Sequence, residues 1–245
     1  MIVINELLGY EKYKIAQNPE MFSFSIDSLL LANFATINRK TKKIIDFCSG
    51  NFPIPMFLTL RTDAQITAIE IQKEAYDLGV MSLKLNNLEN KIEAINADLR
   101  GIHNKLGVSV CDLILCNPPF FKVNENSIFN HNEMLTIARH EVMLSLEEAI
   151  KEANILLKDG GYFAMVHRPS RLKYILVLFD KYNFVVTRLQ FVYPKKNKEA
   201  NHLLVEARKG NKESNLKILE PLYIYDSENK WTKDILKIYN YSKEE

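Results

Sequence analysis

The sequence predicts an α/β protein with a mostly parallel sheet that ends in an antiparallel hairpin. Short apolar runs alternate with segments of helical periodicity along most of the chain, which is typical of βαβ units. The alternation stops after residue 182, where two strand-like runs follow each other across a short basic loop. At 245 residues the chain has room for one large domain of this kind.

Five apolar runs of strand length define the parallel part of the sheet. In chain order they are Ile44–Phe47, Ile66–Ile69, Ile92–Ala97, Asp112–Leu115 and Tyr162–Val166. The helical segments around them are Ser25–Ile37, Pro53–Arg61, Lys73–Asn86 and Leu146–Leu157. The second helix has a proline at an early position, and the fourth repeats apolar residues at the spacing of one buried face. We expect Lys158–Gly161 to end the fourth helix.

The region after the fifth strand follows a different pattern. It contains a predicted helix, two hairpin strands, a short strand and a last helix, at Ser170–Tyr182, Val185–Tyr193, His202–Ala207, Leu222–Tyr225 and Lys233–Tyr239. The loop between the hairpin strands is Pro194-Lys195-Lys196-Asn197-Lys198. A small element is expected at the N-terminus, before the first helix.

Composition restricts the possible classes of protein. Hydrophobic residues make up 47% and charged residues 25% of the chain, as in ordinary soluble globular proteins. A net charge of +2 neither requires nor excludes a nucleic-acid partner, so a local basic patch would be needed. Cys48, Cys111 and Cys116 lack metal or disulfide spacing, which predicts reduced thiols. Without a leader or an apolar run of ~20 residues, we expect a cytoplasmic protein.

The segment directly behind the fourth strand, Asn117-Pro118-Pro119-Phe120, is the strongest functional signal. Its two prolines fix φ and remove backbone donors, so the loop cannot continue the sheet. A carboxamide oxygen and a nearby carbonyl can accept both hydrogens of an amino group while an aromatic ring stacks on a flat substrate. The motif therefore predicts a site for a planar molecule with an exocyclic amine.

Polar residues also stand at the ends of the first four predicted strands, at Asp46, Glu70, Asp98 and Asn117. In an open parallel sheet, ligands bind outside the carboxyl ends of the strands, where the strand order reverses. Glu70 follows Asp46 by 24 residues, which suits an acid that accepts ribose hydroxyls, and Asp98 suits an adenine amino group. Gly50 lies in the first loop, where backbone N–H groups meet a carboxylate or phosphate.

With these residues the chain resembles the Asn-Pro-Pro-Phe class of adenine N6-methyltransferases, and more narrowly the bacterial tRNA1(Val) (adenine-37)-N6-methyltransferase family. The segments that carry the closer resemblance are Phe22–Leu31, Asp46–Asn51, Asn117–Phe120, Ala138–Glu141, His167–Leu172, Asn201–Glu206 and Pro221–Tyr225. The resemblance implies a Rossmann-like class I S-adenosylmethionine-dependent methyltransferase fold. It also implies one domain over residues 1–245, with a cap over the cofactor site (1–37), a catalytic core (38–210) and a C-terminal extension (211–245).

The same resemblance implies the reaction and the residues that take part. S-adenosylmethionine would donate the methyl group to the N6 amine of the adenine 3′ of the anticodon in a valine tRNA. Asn117 and the Pro118 carbonyl would accept the two amine hydrogens, and Phe120 would stack on the base. The residues implied for the cofactor are Phe24, Asp27, Asp46, Cys48, Gly50, Asn51, Glu70, Ile71, Asp98, Leu99 and Asn117.

The tRNA anticodon loop would need basic residues near the motif and near the strand ends. The candidates for phosphate contacts are Lys122, Arg139, Arg168, Arg171, Lys195, Lys196 and Lys198. We expect a monomer that uses no metal and has no membrane partner.

Phe52 is a departure from the family pattern, which usually has a second glycine at this position. A non-glycine residue is destabilised by roughly 1–2 kcal/mol in a left-handed conformation. We therefore expect the loop after the first strand to be reshaped in this chain.

The sequence is also compatible with other functions for this motif. Guanine N2 in ribosomal RNA, adenine in DNA and a protein glutamine amide also present NH2 groups. A non-catalytic RNA-binding protein on the same scaffold is an alternative of a different class, which a cofactor titration would distinguish. A nicotinamide oxidoreductase is disfavoured because Gly50 is the only glycine in the first loop, which leaves no GxGxxG pattern.

Overall fold

Two β-sheets occur in the part of the chain that the structure, a computed structural model, describes: residues 1–7, 10–20, 26–118, 144–210 and 215–239. The smaller sheet is an N-terminal antiparallel hairpin of β1 (Val3–Leu7) and β2 (Tyr10–Gln17). The larger sheet contains nine strands within these residues. They are β3 (Lys43–Phe47), β4 (Gln65–Glu70), β5 (Ile92–Asn96), β6 (Cys111–Cys116), β7 (Leu157–His167), β8 (Phe184–Tyr193), β9 (His202–Lys209), β10 (Lys217–Ile218) and β11 (Leu222–Tyr223).

The helices of the described residues lie between and beside these strands. They are α1 (Ile26–Phe34), α2 (Pro53–Leu58), α3 (Lys73–Leu85), α4 (His103–Leu106), α5 (Leu146–Leu156), α6 (Leu172–Lys181) and α7 (Lys233–Tyr239). Ser145 and Glu148 form a capping box that fixes the start of α5. None of the helices in these ranges is long and apolar enough to cross a membrane.

The strand order of the larger sheet is β10-β8-β9-β7-β6-β3-β4-β5, with β11 also beside β8. Strands β5, β4, β3, β6 and β7 are parallel, and β9 is antiparallel to both β7 and β8. This confirms the predicted parallel sheet with an antiparallel hairpin. The chain goes from β3 outward to β5 and returns on the other side of β3 as β6, so the strand order reverses between β3 and β6. Ligands bind at such a reversal.

Two apolar clusters cover the two faces of the sheet. One contains buried residues of α1, α2, α3, α7 and the N-terminal hairpin, and the other contains those of α5 and α6. Strand β6 contributes to both clusters, because Leu113 and Leu115 belong to the first while Ile114 and Cys116 belong to the second. Its unbroken apolar run is explained by burial on both faces.

The prediction that Lys158–Gly161 ends a helix was wrong. Helix α5 ends at Leu156, and the buried residue Leu157 is extended and pairs with Cys111 at the start of β7. The next pair in register is Leu113 with Tyr162, so a single residue of β6 faces Lys158–Gly161. The segment therefore interrupts the regular pairing of β7 with β6, and Gly160 takes a positive φ of 77° inside it.

Smaller differences concern the ends of elements. Helix α2 ends at Leu58, and the predicted helix after β7 begins as a 3-10 turn, Pro169–Arg171. Two short elements, α4 and β10, were not predicted.

Candidate active site

The carboxyl ends of β3 and β6 lie next to each other at the point where the strand order reverses. Phe47 pairs with Cys116 in parallel register, so Cys48 and Asn117 leave the sheet side by side. The pKa of the Cys48 thiol is raised well above its usual value. The larger cause is a hydrogen bond with the Cys116 thiol, and the second is burial. Cys48 is therefore a protonated thiol at neutral pH and is not set up as a nucleophile.

Asp46, the fourth residue of β3, is a fully buried carboxylate at this edge. Its Oδ2 accepts a 2.6 Å hydrogen bond from the Ser49 hydroxyl, whereas its Oδ1 is buried with no hydrogen-bond partner within the described residues. Burial raises the pKa of Asp46 well above its usual value, the Ser49 hydrogen bond opposes this, and the charge of Glu70 adds to the rise. A buried acceptor without a partner marks a place where a donor or a positive charge fits.

The raised pKa of Asp46 gives a testable pH dependence. The folded state holds the Asp46 proton more tightly than the unfolded chain does, and this difference contributes to the free energy of unfolding. The contribution is complete below the unfolded pKa of 3.8 and is lost as pH rises through the folded pKa. We therefore expect the unfolding free energy of the wild type, relative to Asp46→Asn, to fall as pH rises above 3.8. Urea unfolding at several pH values measures this difference, and a difference independent of pH contradicts the account.

Glu70, the last residue of β4, holds the loop that follows β3. Its Oε2 accepts the Gly50 backbone N–H and its Oε1 accepts the Gln72 N–H, each at 2.8 Å. Burial raises the pKa of Glu70, and its hydrogen bonds with Gln72 and Gly50 oppose the rise. Gly50 has a φ of 56°, and a Cβ built there would meet no described atom within 4 Å. The loop is therefore fixed by Glu70, and none of the described residues packs against a side-chain position at Gly50.

Phe52 keeps the left-handed conformation, with φ 68° and ψ 35°, so the expected reshaping of the loop does not occur at this residue. The ring is completely buried and packs edge-on against Tyr76 at 6.0 Å. Gly79 of α3 makes room for it, because a Cβ at that glycine would lie 2.4 Å from the ring. Burying a Phe side chain contributes about 1.5–3 kcal/mol, which offsets the backbone strain.

The N-terminal hairpin is fastened to the site loop and to α3. Asn51 Nδ2 donates to the Ala16 carbonyl at 2.8 Å, and the Ala16 N–H donates to Ser82 Oγ at 2.9 Å. Asn86, which caps the end of the same helix, exchanges hydrogen bonds with the backbone of Lys14. Asn51 was predicted to line the cofactor site. In the structure its amide nitrogen joins the loop to the hairpin.

Asn117 contacts the first turn of α1. Its Nδ2 lies 3.4 Å from Ser28 Oγ, and the neighbouring Asp27 has Oδ1 3.0 Å from His202 Nε2 at the start of β9. These contacts join α1, β6 and β9 at the same edge of the sheet. Neither Ser28 nor His202 was among the individual site residues expected from the sequence, although both lie in segments that carried the resemblance.

The end of β5 carries the remaining predicted cofactor residues. Asp98 accepts hydrogen bonds from the Arg100 guanidinium, which lower the pKa of Asp98 most, and from the Arg100 backbone N–H at 2.9 Å, which adds to the effect. Leu99 is buried beside it. Asn96 Nδ2 donates to the carbonyls of Glu70 and Ile71 at 2.8 and 3.0 Å, which holds the ends of β4 and β5 together.

Several of the predicted basic contacts lie along the same edge of the sheet. Arg168 Nη1 donates to the Asn201 carbonyl at 3.2 Å, and Arg171 lies 4.8 Å over the Tyr174 ring. His167 Nδ1 accepts the Arg168 backbone N–H, and burial, with the charges of Arg171 and Arg168, lowers the pKa of His167 to about 4. His167 is therefore a neutral acceptor at neutral pH.

The basic loop after β8 reaches this edge too. Strand β8 is antiparallel to β9, which is antiparallel to β7, so β8 ends where β7 ends. Lys195 is partly buried there, and Lys196 and Lys198 are exposed.

Four predicted site residues, Phe24, Phe120, Lys122 and Arg139, lie outside the described residues, and their roles stay predictions. Within the described ranges, no group of three His, Cys, Asp or Glu side chains is arranged to hold a metal ion.

Comparison with known families identifies the class to which this fold and site belong. The family model of the methyltransferase small domain matches residues 12–145, which is 134 of the 245 residues. The chain belongs to the methyltransferase small domain family, and the predicted class I methyltransferase fold is confirmed. The matched segment includes most of the hairpin strand β2, the β3 loop and Asn117.

Individual relatives support the narrower resemblance drawn from the motifs. A Flavobacterium psychrophilum protein named tRNA1(Val) (adenine(37)-N6)-methyltransferase is 25% identical over 218 residues, covering 87% of this chain and 91% of the relative. A Porphyromonas gingivalis protein of the same name is 27% identical over 209 residues, covering 83% and 81%. A crystal structure described as a predicted O-methyltransferase from Agrobacterium tumefaciens has a TM-score of 0.69 at 21% identity, covering 87% and 95%, and shows likeness of fold.

Proposed function

We propose that this protein transfers a methyl group from S-adenosylmethionine to the N6 amine of adenine in tRNA, at the adenine 3′ of the anticodon in a valine tRNA. The observation that carries the proposal is the side-by-side exit of Asn117 and of the loop after Asp46 at the reversal of strand order. This arrangement suits a methyl acceptor held beside a methyl donor. The names of the relatives add support for the choice of base and RNA.

The residues around Asp46 fit the chemistry of S-adenosylmethionine, which supplies an electrophilic methyl group when it is bound. Asp46 Oδ1 is a buried acceptor without a partner within the described residues, and it suits a positively charged donor. The Glu70 carboxylate accepts the backbone N–H groups of Gly50 and Gln72, and a carboxylate has about four acceptor sites, which leaves capacity for a ribose hydroxyl. Within the described part of the chain, no atom lies within 4 Å of a Cβ position at Gly50, which leaves room for a ligand against the backbone.

Asn117 and Pro118 form the acceptor side of the proposed reaction. The exocyclic nitrogen of adenine is a poor nucleophile because its lone pair is delocalised into the ring. Asn117 Oδ1 and the Pro118 carbonyl accept its two hydrogens and favour a more tetrahedral nitrogen, which is stabilisation of the transition state rather than of the ground state. Ser28 supports this by contacting Nδ2 of the same carboxamide. Phe120 is proposed to stack on the base.

The RNA is proposed to lie along the carboxyl edge of the sheet. Five of the basic residues predicted to contact phosphates lie on this edge: Arg168, Arg171, Lys195, Lys196 and Lys198. Further phosphate contacts are proposed for Lys122 and Arg139. A base in a loop leaves its stack more easily than one in a duplex, which favours an anticodon loop.

Replacing Lys195, Lys196 and Lys198 together by alanine is expected to lower the affinity for tRNA. It should also make that affinity less dependent on the salt concentration. Each lost phosphate contact should reduce the slope of log K against log salt by about 0.7 on a single strand. A matched control replaces three lysines at the amino edge of the sheet, Lys40, Lys42 and Lys91. Filter binding at several salt concentrations measures both variants, and equal slopes in the two contradict the assignment.

The domain and assembly predictions belong to the same proposal. Residues 1–37 act as a cap over the cofactor site, residues 38–210 as the catalytic core and residues 211–245 as an extension. The support for the cap is the hydrogen bond of Asn51 to the hairpin and the contact of Asn117 with α1. The protein is proposed to work as a cytoplasmic monomer.

Incubation with unmodified total tRNA and labelled S-adenosylmethionine, followed by nucleoside analysis, tests the function. N6-methyladenosine is the expected labelled product. Labelled N2-methylguanosine, or labelling of DNA or protein instead of tRNA, would favour the corresponding alternative substrate. Cofactor binding without any product from tRNA, DNA or protein would contradict the proposal.

A further inference from the structure

The C-terminal segment has no part in the proposed reaction, yet it lies against the end of β8. Strand β11 pairs with β8 in parallel, with Tyr223 opposite Tyr193. The pairing continues past the strand, because the Ile224 N–H donates to the Tyr193 carbonyl and the Tyr225 N–H donates to the Pro194 carbonyl, both at 2.9 Å. The segment thus extends the sheet where the basic loop begins.

Two tyrosine rings form a pair at this corner. The centroids of Tyr193 and Tyr223 are 5.4 Å apart with an angle of 34° between the rings, and both residues are partly exposed. The preceding residues, Val192 and Leu222, are buried in one apolar cluster, so the two rings point to the opposite face of the sheet. Among the described residues, neither ring belongs to an apolar cluster. Core packing therefore does not account for the pair.

The charge around the pair favours an anionic partner. The loop from 194 to 201 contains Lys195, Lys196 and Lys198, and Glu199 is its only acidic residue. Two acidic side chains of the tail after Tyr223 are engaged, since Asp226 Oδ1 accepts backbone N–H groups of its own turn and Glu228 pairs with Lys230 at 2.8 Å, whereas Glu220, before Tyr223, is exposed. Exposed aromatic faces beside a basic loop are the surface on which single-stranded nucleic acid binds.

The position of the pair relative to Asn117 limits which part of an RNA could reach it. Four strand-to-strand steps separate β6 from β11, through β7, β9 and β8. At about 4.8 Å for each step, β6 and β11 are about 19 Å apart. Stacked nucleotides rise ~3.4 Å each, so about six of them are enough to cover this distance. A base of the same unpaired loop can therefore reach the tyrosines while another base is at Asn117.

We propose that Tyr193 and Tyr223 form a second base-binding site, on which an unpaired base of the substrate RNA stacks while the target adenine is at Asn117. Lys195, Lys196 and Lys198 contact the phosphates between the two bases. The inference rests on the proposed function, which it extends by a second contact with the same RNA loop. Stacking on a ring uses the π-face that every base has, so the site holds the loop in place with little preference for sequence.

The test compares Tyr223→Leu with Tyr223→Phe, which keeps the ring and serves as the matched control. The RNAs are a valine anticodon stem–loop and a series in which each unpaired nucleotide other than the target is made abasic in turn. We expect Tyr223→Leu to bind the intact stem–loop about tenfold or more weakly, and Tyr223→Phe to bind it like the wild type. The affinity for S-adenosylmethionine should stay the same in both. Tyr193→Leu is a second variant in case Tyr223→Leu disturbs the tail.

The abasic series identifies the base that stacks. At one or two loop positions an abasic nucleotide should weaken binding to the wild type and leave binding to Tyr223→Leu unchanged. Normal RNA binding by both leucine variants, or equal losses in wild type and variant at every abasic position, overturns the proposal. If the wild type makes N6-methyladenosine while the leucine variants bind normally, the second base site fails alone. If the wild type binds no RNA, the second base site and the proposed function both fail.

Discussion

Asn117→Ala is expected to reduce the rate of methyl transfer by about 10²–10³-fold, the loss found when a transition-state hydrogen-bond partner is removed. Asn117 is also among the residues that the resemblance implies for the cofactor, but the buried acceptors at Asp46 and Glu70 remain in this variant. We therefore expect kcat to fall much more than the affinity for S-adenosylmethionine. Single-turnover methylation and calorimetric titration of the cofactor measure the two quantities separately.

Ser28→Ala is the matched control for this experiment. It removes the hydroxyl that lies 3.4 Å from Asn117 Nδ2 and leaves the carboxamide oxygen in place. The rate should fall much less than in Asn117→Ala, because the group that accepts the amine hydrogen is still present. Near-normal turnover by the Asn117→Ala variant would contradict the proposed mechanism.

Gly79→Ala is expected to destabilise the protein by about 1–3 kcal/mol through overpacking. Alanine is the better helix former by about 1 kcal/mol, so an exposed site in a helix would show the opposite sign. Here the added Cβ would lie 2.4 Å from the buried Phe52 ring, which cannot move without leaving its contact with Tyr76. Urea unfolding measures the change in unfolding free energy.

The Phe52→Gly background should reverse the sign of this effect. Without the ring there is room for the Cβ, and the gain in helix propensity of up to about 1 kcal/mol should then appear. A double-mutant cycle over the two positions gives the coupling directly. If Gly79→Ala stabilises the protein in the wild-type background, the close fit of Phe52 against α3 is refuted.

The fold could be predicted from the sequence because its parallel strands are short, apolar and buried on both faces. Cys111–Cys116 is such a strand, and its end places Asn117 at the same edge as Asp46 and Glu70. Only the chain order of the strands and the rule for their carboxyl ends were needed. The core of the candidate site follows from the same rule.

Features that depend on contacts between distant residues could not be predicted. Phe52 keeps its left-handed backbone because Gly79, on another element, leaves space for the ring. The glycines after α5 lie inside a strand because Leu157 is buried in the core and pairs with Cys111. Local signals for the end of a helix contain no information on that contact. The contact between Tyr193 and Tyr223 depends on how the tail pairs with β8, and strand register is not readable from two short apolar runs.

The central claim is that Asn117 and Pro118 direct methylation to the exocyclic amine of the adenine 3′ of the anticodon. It is tested most directly with two valine anticodon stem–loops, one with adenine at this position and one with purine, which lacks only the amino group. Both are incubated with the wild-type protein and labelled S-adenosylmethionine, digested and mapped by mass spectrometry. We predict one N6-methyladenosine at this position in the first RNA and no label in the second. Equal labelling of both RNAs, or a methyl group on another base, would contradict the account.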